Sequence, residues 1–450
     1  MVQHGHPIKS QKSFASFLQK KACFPCKSLT PQKTGYKPIS ETATEIERIV
    51  PGTPAYRRLA WALLMAGFST FALMYDVQPL LPVFARSFGV SAAIASLAVS
   101  FSTGALALAL IPAGVLSDRI GRRPVMVASL FSSAALTLVS ALLPGWPALL
   151  ALRAAIGLAL AGVPSVAMAY VSEEVAPASV GAAMGLYIAG SAIGGMTGRL
   201  GVTLVSQFAG WRPAIGVMGA AGLIAATAFA LFAPQPRAFS PVRHDARSLL
   251  AATARLLSDK ALPWLYAEGF LLMGAFVTIY NYVGFRLEAP PYRLSQAEVG
   301  SIFLLYLIGS FSSAWFGGLA GRVGRRKVFW GPIAVLMLGI GLTSTRPLWA
   351  IILGIAVITG AFFAAHSTAS GWVGRRATRD RAQAAALYLL FYYLGSSVLG
   401  SAGGVAWTKA GWPGVAAYGA LLVLAALAIA GRLVLVKPLG DDIAPSGRDN

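Results

Sequence analysis

The sequence predicts an all-α membrane protein of about twelve spans in two repeated six-helix halves, and three observations predict it. Of 450 residues 56% are hydrophobic and only 12% charged, with a mean hydropathy of +0.67, so a soluble globule would have nowhere to put its apolar surface. Apolar runs of roughly 20 residues, the length a helix needs to cross hydrocarbon, follow one another from Trp61 almost to Val436. One short basic loop occurs twice, 203 residues apart.

Taken in order, residues 1–55 are polar and Lys-rich and read as a disordered cytoplasmic tail or an over-extended start, with no signal peptide. Spans are expected at about 60–83, 92–116, 125–144, 148–170, 182–205 and 212–233, giving an N-terminal bundle over 56–233. The segment 234–262, with Arg237, Arg243, His244, Asp245, Arg247, Arg255, Asp259 and Lys260, is the hydrophilic divide. Six more spans at about 263–285, 298–320, 328–345, 347–372, 383–404 and 413–436 form the C-terminal bundle over 263–436, and 437–450 is a second cytoplasmic tail.

The formal charge of +21 could suggest nucleic acid, but the basic residues sit in loops between apolar runs rather than on a solvated face. With the N-terminus inside, only Arg86, Arg212, Arg286, Arg293, Arg346 and Lys409 fall outside, while Arg153 and Arg199 lie within spans. The remainder of the 37 Lys and Arg residues are inside, which predicts that both termini face the cytoplasm and that nucleic acid is not a partner. The two cysteines, Cys23 and Cys26, stand in the tail with no second ligand pair near them, so neither a disulfide framework nor a metal site is expected. No GxSxG, HExxH or P-loop pattern occurs, which speaks against an enzyme; a channel would show a filter loop or charge ring.

The repeated loop is Gly114-Val-Leu-Ser-Asp118-Arg119-Ile-Gly121-Arg122-Arg123, matched by Gly317-Gly-Leu-Ala-Gly321-Arg322-Val-Gly324-Arg325-Arg326. Glycines permit the chain to reverse in a few residues, and arginines remain among the lipid headgroups. The loop resembles the signature between helices 2 and 3 of the major facilitator superfamily, with its degenerate copy between helices 8 and 9. The resemblance covers residues 50 to 436 and implies the major facilitator fold, alternating access and a monomer. Phe71-Ala-Leu-Met-Tyr-Asp-Val-Gln-Pro-Leu-Leu-Pro82, Gly194-Gly-Met-Thr-Gly-Arg199, Tyr280-Asn-Tyr-Val-Gly-Phe-Arg286 and Leu387-Tyr-Leu-Leu-Phe-Tyr-Tyr-Leu-Gly395 are similar to the YnfM-like branch, a group labelled predicted arabinose efflux permeases. In the superfamily the loop acid is thought to latch the halves; here Asp118 can face the start of span 11, where unpaired N–H groups favour an anion, and can pair with nearby arginines, or can be a turn and topology marker.

An ionisable group within a span is expensive, so each is a functional candidate. Asp76 in the outer half of span 1 and Arg153 early in span 4 are expected at similar depth, as a proton-coupling pair or a structural buried ion pair. Arg153-Ala-Ala-Ile-Gly157 resembles the superfamily's helix 4 motif associated with proton transfer, with Ile156 where an amide is expected. Span 5 resembles the helix 5 motif of drug:proton antiporters, but has Gly195 for the proline and Arg199 for the last glycine. Gly190, Gly194 and Gly198 make a close-packing ridge, and Arg199 is a candidate substrate contact. Tyr75 and Gln78 flank Asp76; Tyr280 and Asn281 in span 7 mirror Tyr75-Asp76 two residues out of step with the repeat. Glu268 lies near the inner end of span 7. His366 in span 10 and Tyr388, Tyr392 and Tyr393 in span 11 could line a cavity, His366 either as a proton carrier or as a neutral packing residue. Glu173 and Glu174 pair with Arg375, Arg376, Arg379 or Arg381, or are solvated.

These readings converge on a secondary transporter of the bacterial inner membrane whose partners are the lipid bilayer and a small-molecule substrate. It is expected to need no cofactor beyond the proton gradient. Proton-coupled export of a sugar or drug-like compound is the first expectation; uptake of a sugar or organic anion by symport is the second. Asp76 and Arg153 would couple protons, and Tyr75, Gln78, Arg199, Tyr280, Asn281, His366, Tyr388 and Tyr392 would contact substrate.

Overall fold

The computed structural model of the chain describes residues 48–436 except 238, 243 and 244. The expectations for Cys23, Cys26, His4, His6, Arg243, His244, Lys437 and Arg448 lie outside the described residues. The described part of the expected tail is ordered: the N–H of Ile49 donates to Glu174 O at 2.8 Å, and the N–H of Ala176 to Ile49 O at 3.0 Å, a short parallel bridge to the end of span 4. Ile49 is apolar and buries itself there, which a composition average over the tail hides.

Helix α1 (Pro54–Tyr75) starts at Thr53, whose hydroxyl accepts from the Tyr56 N–H, with proline at the first turn where no intrahelical donor is needed. A 3-10 turn at Gln78–Leu80 and α2 (Leu81–Phe88) complete the first pass. The second is α3 (Ala92–Ala95) and α4 (Leu97–Ile120), the third α5 (Arg122–Leu142). The fourth breaks into α6 (Trp146–Leu160) and α7 (Ala167–Glu174) around Pro164, which has no N–H to give to Leu160. Helices α8 (Val180–Ala209) and α9 (Trp211–Phe232) close the first half.

In the central segment α10 (Ala246–Leu257) corrects the expectation of a plain hydrophilic loop. Ala252 and Leu256 face inward while Arg247 and Arg255 are exposed, so a short amphipathic helix lies against the second half. That half comprises α11 (Leu262–Glu288), α12 (Gln296–Ser301), α13 (Tyr306–Val323), α14 (Arg325–Val328), α15 (Trp330–Thr343) and α16 (Leu348–Arg376). Its last elements are α17 (Arg381–Leu394), a π-turn at Gly395–Leu399, and α18 (Gly400–Leu435).

Among the described residues, ten stretches are long and apolar enough to cross a bilayer. Helix α6 of the broken α6–α7 pass is apolar but shorter than these, and the 55-residue stretch Arg381–Leu435 divides at Ala410 and Gly411, where φ of +59° at Gly411 turns the chain. Large apolar side chains such as Leu108, Phe208, Phe311, Leu338 and Leu435 are exposed on the bundle surface, as lipid contact requires.

The predicted glycine ridge is a close helix–helix seam. A Cβ on Gly190 would stand 2.2 Å from Leu64 O, on Gly194 2.1 Å from Phe68 O, and on Gly198 2.8 Å from Ala72 Cα, so α8 lies directly on the α1 backbone. The repeated loops also match in shape: Gly121 and Gly324 turn at φ of +107° and +100°, conformations that side-chain-bearing residues rarely adopt.

Candidate functional site

Helix α1 ends at Tyr75 because Pro79, four residues on, cannot donate to it and its ring would strike that carbonyl. The break leaves carbonyls without helical partners, and Arg153 occupies them: Nη1 donates to Leu73 O at 3.1 Å and Nη2 to Met74 O. The same Nη1 reaches Asp76 Oδ1 at 3.0 Å, and Nε donates to Ala98 O at 3.2 Å. Gly157, one turn after Arg153, lets α6 approach closely, since a Cβ there would stand 2.1 Å from Ser102 O. Asp76 and Arg153 thus meet as the sequence predicts, both fully buried. Asp76 Oδ1 also accepts the Val77 N–H at 2.9 Å, whereas Oδ2 has no partner among the described residues.

Two residues beyond Asp76 a second polar chain crosses between the halves. Arg199 Nε donates to Gln78 Oε1 at 2.8 Å, and Gln78 Nε2 donates to Asn281 Oδ1 at 2.9 Å. The Arg199 guanidinium lies over the rings of Tyr75, Phe303 and Tyr306 at 4.4, 5.1 and 4.9 Å, one from its own half and two from the other. Asn281 Nδ2 is buried with no acceptor among the described residues. Tyr280 bonds the Thr359 hydroxyl at 2.7 Å, and its ring continues through Phe276 and Phe362 to His366. His366 Nδ1 shares a hydrogen bond of 2.9 Å with the Tyr388 hydroxyl and packs 4.6 Å from the Tyr392 ring. The predicted contacts therefore fall into one connected band, with Tyr75, Gln78, Arg199 and Asn281 at the seam and Tyr280, His366, Tyr388 and Tyr392 within the second half.

At the end of the bundle that carries the basic loops, Asp118 pairs with Arg122, one of the nearby arginines expected for it, and the Val242 N–H donates to its main-chain oxygen. Glu173 accepts from Arg122 at 2.8 and 3.0 Å, in place of an expected arginine of the second half, and Glu174 Oε1 accepts the Arg237 N–H at 2.9 Å. Arg376, which was to be their partner, holds Asp259 at 3.0 Å. Glu173 thus finds its cation within its own half.

The other loop residues behave as repeats. Arg119 and Arg322 occupy the last turns of α4 and α13, where a cation suits the helix terminus. Arg123 donates to Ala230 O and to Ala233 O, at 2.6 and 3.1 Å, while Arg326 donates to Val434 O, so each caps the last helix of its own half. Gly114 and Gly317 have open space beside them, and Arg325 lies against Gly371 of α16.

At the opposite end the halves are joined. Arg86 pairs with Glu288 at 2.7 Å, Gln207 accepts the Ala297 N–H at 3.0 Å, Ser401 bonds both Ser96 and Ser100, and Ser397 donates to Ser100 O at 2.8 Å. Sequence reasoning missed these contacts, together with Phe303, Tyr306 and Thr359. The one available signal was the run of serines in spans 2 and 11, which periodicity alone assigns to no face.

The helical halves, the repeated loop and the polar seam define a class, the two-domain membrane transporters, and the comparisons agree. The family model described as Major Facilitator Superfamily matches residues 59–292, and the chain belongs to that family. It is 44% identical over 400 residues to the Inner membrane transport protein YnfM of Escherichia coli, covering 89% of this chain and 95% of that one. It is 42% identical over 382 residues to the uncharacterized MFS-type transporter YybF of Bacillus subtilis, covering 85% and 95%. Its fold resembles an inward-facing, unoccupied bacterial homolog of the human lysosomal transporter Spinster, at a TM-score of 0.66 and 16% identity over 85% of this chain and 95% of that one. The nucleoside transporter NupG gives a TM-score of 0.66 at 18% identity, over 82% and 99%.

Proposed function

We propose that this protein is a proton-coupled secondary transporter of the bacterial inner membrane, both termini in the cytoplasm, exporting a small organic compound such as a sugar or drug-like molecule by antiport. The observation that carries the reading is the buried Asp76–Arg153 pair, whose acid keeps one oxygen unpartnered two residues from the chain that ties the halves together. A proton on Asp76 cancels the charge opposite Arg153 and loosens the broken end of α1. Gln78 sits on that end, so its bond to Asn281 responds, and the far end of the bundle can part. The basic loops argue for the cytoplasmic side at the opposite end, and E. coli YnfM, an inner membrane transport protein by name, supports the membrane assigned.

Substrate would bind in the band between Arg199, Gln78 and Asn281 and the aromatic groups Tyr75, Tyr280, His366, Tyr388 and Tyr392. A second reading, symport of a sugar or organic anion, is favoured by two donors at one place: the Arg199 cation and an Asn281 amide with no acceptor among the described residues. Vesicles containing the purified protein and given an imposed pH gradient separate the two. Export predicts that some member of a panel of sugars, organic anions and amphipathic drugs moves against the proton flow, symport that it moves with it. If no compound responds to the gradient, coupling is wrong.

A further inference from the structure

One buried acid plays no part in this scheme. Glu268, on the second turn of α11, is fully buried, and neither of its carboxyl oxygens has a hydrogen-bond partner among the described residues. Asp76 is buried as deeply, but its charge is met by Arg153 and by the Val77 N–H at one carboxyl oxygen. An ionised carboxylate inside a membrane span with no cation or donor is costly, and a carboxyl that makes no bond does not brace the fold. The group that side chain uniquely offers at this position is an exchangeable proton.

The neighbours provide a route for it. Gly269, next to Glu268 in α11, lets α17 come so near that a Cβ there would stand 2.9 Å from the Tyr388 ring. The Tyr388 hydroxyl is hydrogen-bonded to His366 Nδ1 at 2.9 Å. Of the other charged and titratable groups nearby, Arg432 of α18 lies over Trp264, one turn before Glu268, while Asp259 and Arg376 are paired with each other and Arg255 with Asp380. Tyr266, on the same helix, stacks on Phe391.

We infer that Glu268 is a second proton-carrying carboxyl, in the second half, linked through Tyr388 to His366. Neither Glu268 oxygen bonds Tyr388 in this state, so the transfer needs the side chain to turn toward the phenol; the Glu268 O–H proton then passes to the Tyr388 oxygen as the Tyr388 hydrogen moves to His366 Nδ1. This leaves a carboxylate, an unchanged phenol and an imidazolium, and the reverse shift restores the start. The inference deepens the transport reading and rests on it, but its test uses no substrate.

Infrared difference spectra of the full chain in lipid, wild type against Glu268→Gln, read the proton itself. The expected result is a carbonyl stretch of a protonated carboxylic acid that is absent from Glu268→Gln, and that fades as the pH is raised. Tyr388→Phe, which cuts the link to His366, should move the midpoint of that fading by about one pH unit or more. Glu268→Asp should retain an acid band if the glutamine variant folds poorly. Absence of any such band in the wild type, or a band that ignores pH from acid to alkaline, overturns the inference. A protein coupled through Asp76 alone would give that negative result and still transport, whereas a positive spectrum with no pH-driven flux would sink the transport reading instead.

Discussion

Gln78 and Asn281 stand 203 residues apart in the chain, the same interval that separates the two copies of the basic loop, and they are joined by a 2.9 Å hydrogen bond across the seam. The internal two-fold relation therefore brings equivalent positions of the two halves face to face at the centre of the molecule. The expected mirror of Tyr75-Asp76 in Tyr280-Asn281, two residues out of step, gives way to an in-step pairing of Gln78 with Asn281. Asp76 consequently has no acidic counterpart in α11, and the ionisable chemistry around that seam belongs to the first half.

Cutting the seam should show in both stability and conformation. Gln78→Ala leaves the Arg199 Nε and the Asn281 Oδ1 buried and unpaired, a loss of about 1–3 kcal/mol. A lower melting temperature in detergent is expected. Cysteine pairs placed at Arg86 and Glu288, in a background without Cys23 and Cys26, should also cross-link less than in the same background with Gln78 intact. An unchanged cross-linking yield would mean that this bond does not hold the far end closed.

The α1–α8 seam gives a contrast within one helix. Gly194→Leu forces a side chain into the Phe68 backbone and should cost more than the 1–3 kcal/mol typical of overpacking, to about the point where little folded protein is recovered. Gly181→Ala has nothing within 4 Å of the new Cβ and should melt with the wild type. Size-exclusion profiles and thermal unfolding of the two variants decide this.

Arg123 and Arg326, also 203 positions apart, each donate to main-chain oxygens at the end of the sixth helix of their half. Either one replaced by Ala should lower stability by about 0.3–1 kcal/mol through the loss of a cation at a helix C-terminus, and the double variant should be additive because the sites are far apart. Thermal shifts of the two single variants and the double are the check; strong non-additivity would refute independent caps.

Asp259 lies outside the spans and accepts from Arg376, from the Ala261 N–H at 2.8 Å and from the Leu262 N–H at 3.0 Å. Partial burial pushes its carboxyl up, but these partners outweigh it and hold it below the ordinary aspartate range. A depressed carboxyl contributes stability that is present above its unfolded value and is lost as pH falls through the folded one. Asp259→Asn should therefore melt below the wild type at neutral pH, by a few tenths to about 1 kcal/mol given the exposure of the pair, and the two curves should converge in acid. Parallel curves at all pH values would contradict the assignment.

Much of this architecture was legible in the chain. Hydropathy located the passes, the repeated loop announced the halves, and the glycine spacing in span 5 foretold how closely α8 meets α1. The meeting of Asp76 with Arg153 was readable from depth alone, because each position along a span fixes a height in the membrane. What depth does not supply is rotation about the helix axis. For that reason the reach of Phe303 and Tyr306 to Arg199, and of Ser401 to Ser96 and Ser100, was invisible, and Glu173 was assigned to the wrong arginine. Helix α10 escaped notice because its 12 residues fall short of the roughly 20-residue apolar run that a reading for membrane spans looks for.

The central claim, that Asp76 carries the coupled proton, is tested most directly by comparing two assays of one variant. In proteoliposomes, a pH-sensitive dye follows proton movement when members of the compound panel are added, and isotope counterflow of the same compound follows exchange without net proton transfer. For Asp76→Asn the account predicts counterflow close to wild type and no substrate-driven proton movement. Proton movement equal to wild type in Asp76→Asn would contradict it.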